Sequence, residues 1–144
     1  VPALLLDTHS LVWLAANLAI SHAAELAIAK AQQRNELFVS PMTAWEVGVS
    51  STKKNIAHRP PLQGQPPELW FRTNLVKFRI QLTPFDLEIS TESARVPAIY
   101  GSGDPGDCFL LATAHKAKLT LVTRDARILD FARANPDYLS VIAC

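Results

Sequence analysis

Short, nearly unbroken apolar runs recur along this chain, each separated from the next by a stretch long enough for a helix. They are Ala3-Leu4-Leu5-Leu6, Leu37-Phe38-Val39, Leu119 to Val122 and Tyr138 to Ile142, with Arg79-Ile80-Gln81-Leu82 as an alternating run among them. A strand covered on both faces needs apolar residues pointing both ways, and strands joined through helices run parallel. The predicted fold is therefore α/β, a three-layer α/β/α sandwich around a central, mainly parallel sheet.

The intervening segments carry helix signals. Asp7 opens a helix from Thr8 to Ala16, and Ser21 with Glu25 starts another that runs to Gln33. Ser40-Pro41 is an N-cap followed by proline at the first helical position, opening a helix to about Thr52. Prolines at 60, 61, 66 and 67 and Gly64 mark a loop inside the domain, ahead of a helix over Glu68 to Phe78. Further helices are expected over Asp86 to Val96, from Asp104-Pro105 to Lys116, and over Ala126 to Arg133.

A length of 144 residues with 49% hydrophobic content suits one globular domain over residues 1–144. No apolar stretch reaches the roughly 18 residues that a membrane span requires, and the start at Val1 lacks a charged n-region. A cytoplasmic protein without membrane partners is the expectation. Cys108 and Cys144 are read as an ordinary buried cysteine and a free thiol, not as a disulfide or zinc framework. Net charge is +1, but Lys53, Lys54, Arg59, Arg72, Lys77 and Arg79 against Glu68 give residues 53–79 a charge of +5, leaving −4 elsewhere. A basic segment beside an acidic cluster suits a polyanion whose phosphates reach bound metal, and Lys53, Lys54 and Arg59 are the candidate contacts to it. The competing role for each is a solvated basic face.

The apolar runs lead into acids: Leu6 into Asp7, Val39 into the segment carrying Glu46, Ile99-Tyr100 into Asp104 and Asp107, and Val122 into Asp125. In a parallel α/β sheet, ligands bind beyond the carboxyl ends of the strands, where Asp7 and Asp125 should lie. Carboxylates gathered there repel one another, and a divalent cation relieves the repulsion. At least one carboxyl is then expected to have a raised pKa. Asp7, Asp104 and Asp125 can each also be a helix N-cap, and Asp107 favours a first turn. Glu46 is different, because Met42, Trp45 and Val49 define an apolar stripe that contains it. An inward-facing carboxylate costs several kcal/mol unless it is paired or bound to metal, and an arginine partner is the alternative.

These residues resemble the PIN domain of VapC-type toxins from toxin–antitoxin pairs. Leu4 to Leu14, with Asp7-Thr8-His9, is similar to the family's opening, and Val39 to Val47, with Trp45-Glu46, to its second block. Asp104-Pro105-Gly106-Asp107-Cys108 and the following residues to Ala114 are similar to the third, and Leu119 to Asp125 to the fourth. The blocks come in family order over nearly the whole chain. Two departures stand out: Ser102-Gly103 replace a His-Arg pair, and Gly106 replaces an aromatic between the two acids, which is expected to loosen the helix start.

The resemblance implies a divalent-metal-dependent endoribonuclease, with Asp7, Glu46, Asp107 and Asp125 as catalytic acids around Mg²⁺ or Mn²⁺. Asp104 would be a metal ligand through water or a helix cap, and Thr8 or Thr123 could orient a ligand or the water. It also implies an RNA substrate, a cognate antitoxin protein and a homodimer. His9 and His115 are read as helix residues without a catalytic partner. Two other classes fit parts of the pattern: an aspartyl-phosphate phosphatase or receiver-like protein with Asp7 reactive, and a non-catalytic PIN-like module that binds RNA or protein. The first wants a second aspartate at position 9, which is histidine, or an acidic pair ahead of the phosphoacceptor.

Overall fold

The structure is a computed structural model that describes residues 2–144. The strands are β1 (Leu4–Leu6), β2 (Leu37–Val39), β3 (Gln81–Leu82), β4 (Thr120–Thr123) and β5 (Val141–Ala143). They form one parallel sheet in the order β3-β2-β1-β4-β5. Leu6 pairs with Val39 on one side and with Val122 on the other, so the central strand β1 ends level with β2 and one residue short of β4.

The helices are α1 (Thr8–Ala15), α2 (His22–Gln33), α3 (Pro41–Ser50), α4 (Pro67–Lys77), α5 (Leu87–Ser93), α6 (Val96–Tyr100), α7 (Pro105–Ala117) and α8 (Ala126–Ala134). A 3-10 turn at Ile56–His58 lies between α3 and α4. Because successive strand residues point to opposite faces, β1 feeds two cores. Leu5 packs with Leu111, Leu121, Ile128 and Phe131. Leu4 and Leu6 pack with Leu11, Ile28, Val39, Val47 and Phe71. All three β1 leucines are fully buried, each contributing about 1.5–3 kcal/mol, which is what makes this strand the centre of the sandwich.

The caps read from sequence close the helix starts, and Asp86, expected inside its helix, caps it as well. The side chains of Asp7, Ser21, Ser40, Asp86, Asp104 and Asp125 each accept a backbone N–H from the first turn of their helix. Each such bond is worth about 1 kcal/mol.

Three elements differ from expectation. The third strand starts at Gln81 because Arg79 takes a left-handed φ of 57° that ends α4, and both of its residues are exposed on the sheet edge. The final strand lies at Val141–Ala143, since Tyr138 and Leu139 instead donate their N–H groups to Asn135, continuing the turn after α8. The helix expected over Asp86 to Val96 is split, and Ile99-Tyr100 belongs to α6. Pro97 has no N–H to give to the preceding turn, so the chain restarts as a new helix at Val96.

Candidate active site

Neighbouring strands β1 and β4 send the chain in opposite directions across the sheet, β1 through α1 and α2 to β2 and β4 through α8 to β5. The crevice beyond their carboxyl ends is the position at which open α/β sheets bind ligands. Asp7 leaves β1 and caps α1; Asp125 leaves β4 and caps α8. Asp104 caps α7 with Asp107 in its first turn, and Glu46 comes from α3.

Asp7 is 7% exposed and fully engaged. Its Oδ1 accepts the Ser10 N–H at 2.7 Å and its Oδ2 accepts the Thr123 hydroxyl at 2.6 Å. The same Thr123 oxygen accepts the Asp125 N–H at 3.1 Å, while Asp125 Oδ1 accepts the N–H groups of Arg127 and Ile128. Thr8 donates to Glu46 Oε1 at 2.9 Å, and its hydroxyl lies 3.3 Å from that of Thr43. Asp107 Oδ2 accepts the Tyr100 hydroxyl at 3.1 Å.

Electrostatics tie these acids together. Burial pushes the Glu46 carboxyl above the usual carboxylate range, the Thr8 hydrogen bond works against that shift, and the charges of Asp104 and Asp107 add to it. Asp107 is raised by burial and then by Asp104, with a smaller push from Asp125, while Tyr100 and Arg127 pull it down. The expected raised carboxyls are therefore Glu46 and Asp107, through burial first and neighbouring carboxylates second. Burial first, and then the adjoining Asp107 charge, push the Tyr100 hydroxyl well above its ordinary value.

Glu46 reaches this cluster for a reason other than the apolar stripe. Trp45 and Val49 are 58% and 47% exposed, so the supposed inner stripe faces outward. The buried residues of α3 are Thr43 and Val47, and Glu46 turns towards α1 and α7 beside them. Gly106 makes room for it: a Cβ there would lie 3.0 Å from Glu46 Oε2 and 3.1 Å from its Cδ. The glycine does not loosen α7, which begins at Pro105 and runs for 13 residues.

The donor set offered to a cation is entirely oxygen, the chemistry that Mg²⁺ and Mn²⁺ favour. Among the described residues, no three His, Cys, Asp or Glu side chains form a group that could hold a metal ion.

Tyr100 and Arg127 escaped the sequence reading. Arg127 sits in the first turn of α8, where a cation opposes the helix dipole. It donates to the Gly101 carbonyl at 3.1 Å, and its guanidinium lies 5.3 Å from the Tyr100 ring centre. That unfavourable helical position was the available signal for Arg127. For Tyr100, the signal was a phenol whose hydroxyl needs a partner once its ring is buried.

The basic segment does not form one patch. Arg72 pairs with Glu68, Lys77 lies over Phe78, and Arg79 bonds Asn35. Lys53 and Arg59 line a groove of about 330 Å³ that reaches Thr8, whereas Lys54 is exposed and does not line it. His9 also lines this groove, while His115 stacks on Tyr138 near the far end of α7.

The PIN domain family model matches residues 4–134. DNA-bound VapBC from Salmonella typhimurium aligns over 99% of this chain and 98% of its own, at 13% identity and a TM-score of 0.66. VapBC2 from Rickettsia felis, bound to a promoter DNA fragment, aligns over 97% of both chains, at 15% identity and a TM-score of 0.67. FitAcB from Neisseria gonorrhoeae aligns over 96% of both, at 20% identity and a TM-score of 0.59. At these identities the likeness is one of fold. No curated protein matches the chain.

Proposed function

The chain belongs to the PIN domain family, and from that premise we propose that it is a divalent-metal-dependent endoribonuclease, the toxin of a toxin–antitoxin pair. The observation that carries the reading is a set of linked acids: Thr123 bonds both Asp7 and the Asp125 backbone, while Glu46 and Asp107 are raised by burial first and by neighbouring carboxylates second. Likeness of fold to the toxin–antitoxin complexes supports the same reading.

Asp7, Glu46, Asp107 and Asp125 would hold Mg²⁺ or Mn²⁺, with Asp104 acting through water or as the cap of α7. The chemistry such an ion supplies is Lewis-acid polarisation of water and of the phosphate. The chain's own part is positioning. Thr123 fixes the Asp7 carboxylate and the Asp125 backbone with one hydroxyl, Thr8 orients Glu46, and Tyr100 orients Asp107.

The partners in this proposal are a cognate antitoxin protein and a second copy of the chain. An apolar cleft of about 350 Å³ lined by Pro41, Met42, Trp45, Phe85 and Pro105 adjoins the acids and supports docking at this end. No helix among the described residues is long and apolar enough to cross a membrane, in keeping with a cytoplasmic site of action.

The test is incubation of purified protein with total RNA and Mg²⁺ or Mn²⁺, in parallel with EDTA, followed by mapping of new RNA ends. Metal-dependent ends that disappear in Asp7→Asn are expected. Cleavage that persists in EDTA, or in a folded Asp7→Asn variant, rejects the assignment.

A further inference from the structure

Asp104 and Asp107 follow the corner between α6 and α7, and that corner is thinly built. Gly101 takes a left-handed φ of 79° to end α6, and a Cβ at Gly101 or Gly103 would meet nothing within 4 Å. The bonds made inside the corner are local: the Ser102 hydroxyl accepts the Asp104 N–H at 3.3 Å, and the Cys108 thiol donates to the Ser102 carbonyl at 3.4 Å. Helix α8 reaches the corner from further along the chain. Arg127 donates to the Gly101 carbonyl at 3.1 Å and places its guanidinium 5.3 Å from the centre of the Tyr100 ring. Phe131, one helical turn on, meets the same ring edge-on with centres 5.3 Å apart. The Tyr100 hydroxyl in turn bonds Asp107 at 3.1 Å. Arg127 is exposed and makes no ion pair among the described residues, and its cation opposes the dipole of α8. The stability of its own helix therefore gives no reason for an arginine here.

The geometry points to Arg127 as a positioning residue: it latches the start of α8 onto the Tyr100-Gly101 pair and, through Tyr100, fixes where Asp107 stands relative to Asp125. This role rests on the metal-dependent reading above and adds a residue to it. Asp125 caps α8 by accepting the N–H groups of Arg127 and Ile128, so the latch and the acid belong to the same first turn. Both acids are thereby referred to one rigid element. Groups that hold a ligating side chain in place control metal affinity, by about 10–100-fold when they are removed. The charge of the guanidinium acts the other way, because a cation beside the acids repels a metal ion. Removing Arg127 therefore weakens metal binding if it positions Asp107, and tightens it if the residue matters only as a charge.

The experiment compares wild type, Arg127→Met, Tyr100→Phe and the double variant, all free of RNA. Mn²⁺ affinity is read by titration calorimetry, and amide hydrogen exchange is followed by NMR in EDTA. Arg127→Met should weaken Mn²⁺ binding about tenfold. It should also speed exchange at the hydrogen-bonded amides of Gly101 and Cys108 while β1 exchanges as in wild type. Tyr100→Phe keeps the ring under Arg127 and loses the bond to Asp107, so it should weaken Mn²⁺ without speeding exchange at the corner. The double variant should bind Mn²⁺ hardly worse than Tyr100→Phe, because both losses pass through one hydroxyl. Unchanged or tighter Mn²⁺ binding in Arg127→Met, unaltered exchange at the corner, faster exchange throughout β1, or an additive double variant would each overturn the inference. A wild type that binds no Mn²⁺ rejects the nuclease reading instead, and the exchange rates alone then decide whether the latch exists.

Discussion

Thr123 donates its hydroxyl to Asp7 Oδ2 at 2.6 Å and accepts the N–H of Asp125 at 3.1 Å through the same oxygen. One fully buried side chain thus sets the spacing of two acids that end neighbouring strands. Thr123→Val keeps the volume but orphans a buried carboxylate oxygen and a backbone N–H. Urea unfolding should show a loss of about 1–3 kcal/mol, and Mn²⁺-dependent RNA cleavage should fall with it. Thr123→Ser should recover most of both. A valine variant as stable and as active as wild type would show that this hydroxyl holds nothing in place.

Glu46 and Asp107 make stability depend on pH in a definite direction. Their pKa values are raised in the folded state, so below the unfolded values both states are protonated and the two groups cost nothing. As pH rises from there through the folded values, the unfolded chain ionises first and stability falls. In EDTA, the melting temperature of Glu46→Gln should therefore drop less than that of wild type between about pH 4.5 and neutrality. At neutral pH it should equal or exceed wild type. Parallel pH profiles for the two proteins would remove Glu46 from the strained set.

Gly106→Ala separates the helix from the site. The three atoms nearest the added methyl all belong to the Glu46 carboxyl, the end of a flexible side chain that has to yield by a few tenths of an ångström. Stability should stay within about 1 kcal/mol of wild type, since alanine is the better helix former. Cleavage should nevertheless drop, because Glu46 is the group displaced. Equal loss of stability and activity would mean that the glycine serves α7 itself.

What was legible in the sequence follows from how local each cause is. Leu4-Leu5-Leu6 announces a central strand because burial on both faces leaves no polar position, and Asp7, Asp104 and Asp125 announce helix starts because capping acts within three residues. Gln81-Leu82 is a strand through its pairing with Phe38-Val39, a contact that its own exposed residues do not encode. Glu46 was picked by a stripe that in fact faces outward. The inner face of α3 is carried by Thr43 and Val47, a pair too small and too mixed to stand out by hydrophobicity. Tyr100 meets Asp107 across the α6–α7 turn, and Arg127 reaches Gly101 from 26 residues away, so tertiary packing alone brings them to the site.

Mn²⁺ should raise the melting temperature of the wild type if the acids share an ion. Binding to the native state alone stabilises by mass action, about 2.7 kcal/mol when the ion stands at a hundredfold over its dissociation constant. Asp107→Asn deletes one of the raised charges and leaves an oxygen that can still accept the Tyr100 hydroxyl. In EDTA, the variant should melt no lower than wild type, because the repulsion from Asp104 and Asp125 is gone. With Mn²⁺, it should gain less, because a donor is gone as well. Helix capping predicts a different pattern: Asp104 caps α7 whether or not Asp107 is charged, so a purely capping cluster would leave both proteins indifferent to Mn²⁺. Thermal melts of the two proteins across a Mn²⁺ titration separate the cases, and a wild-type midpoint that ignores the ion would leave the acids as caps.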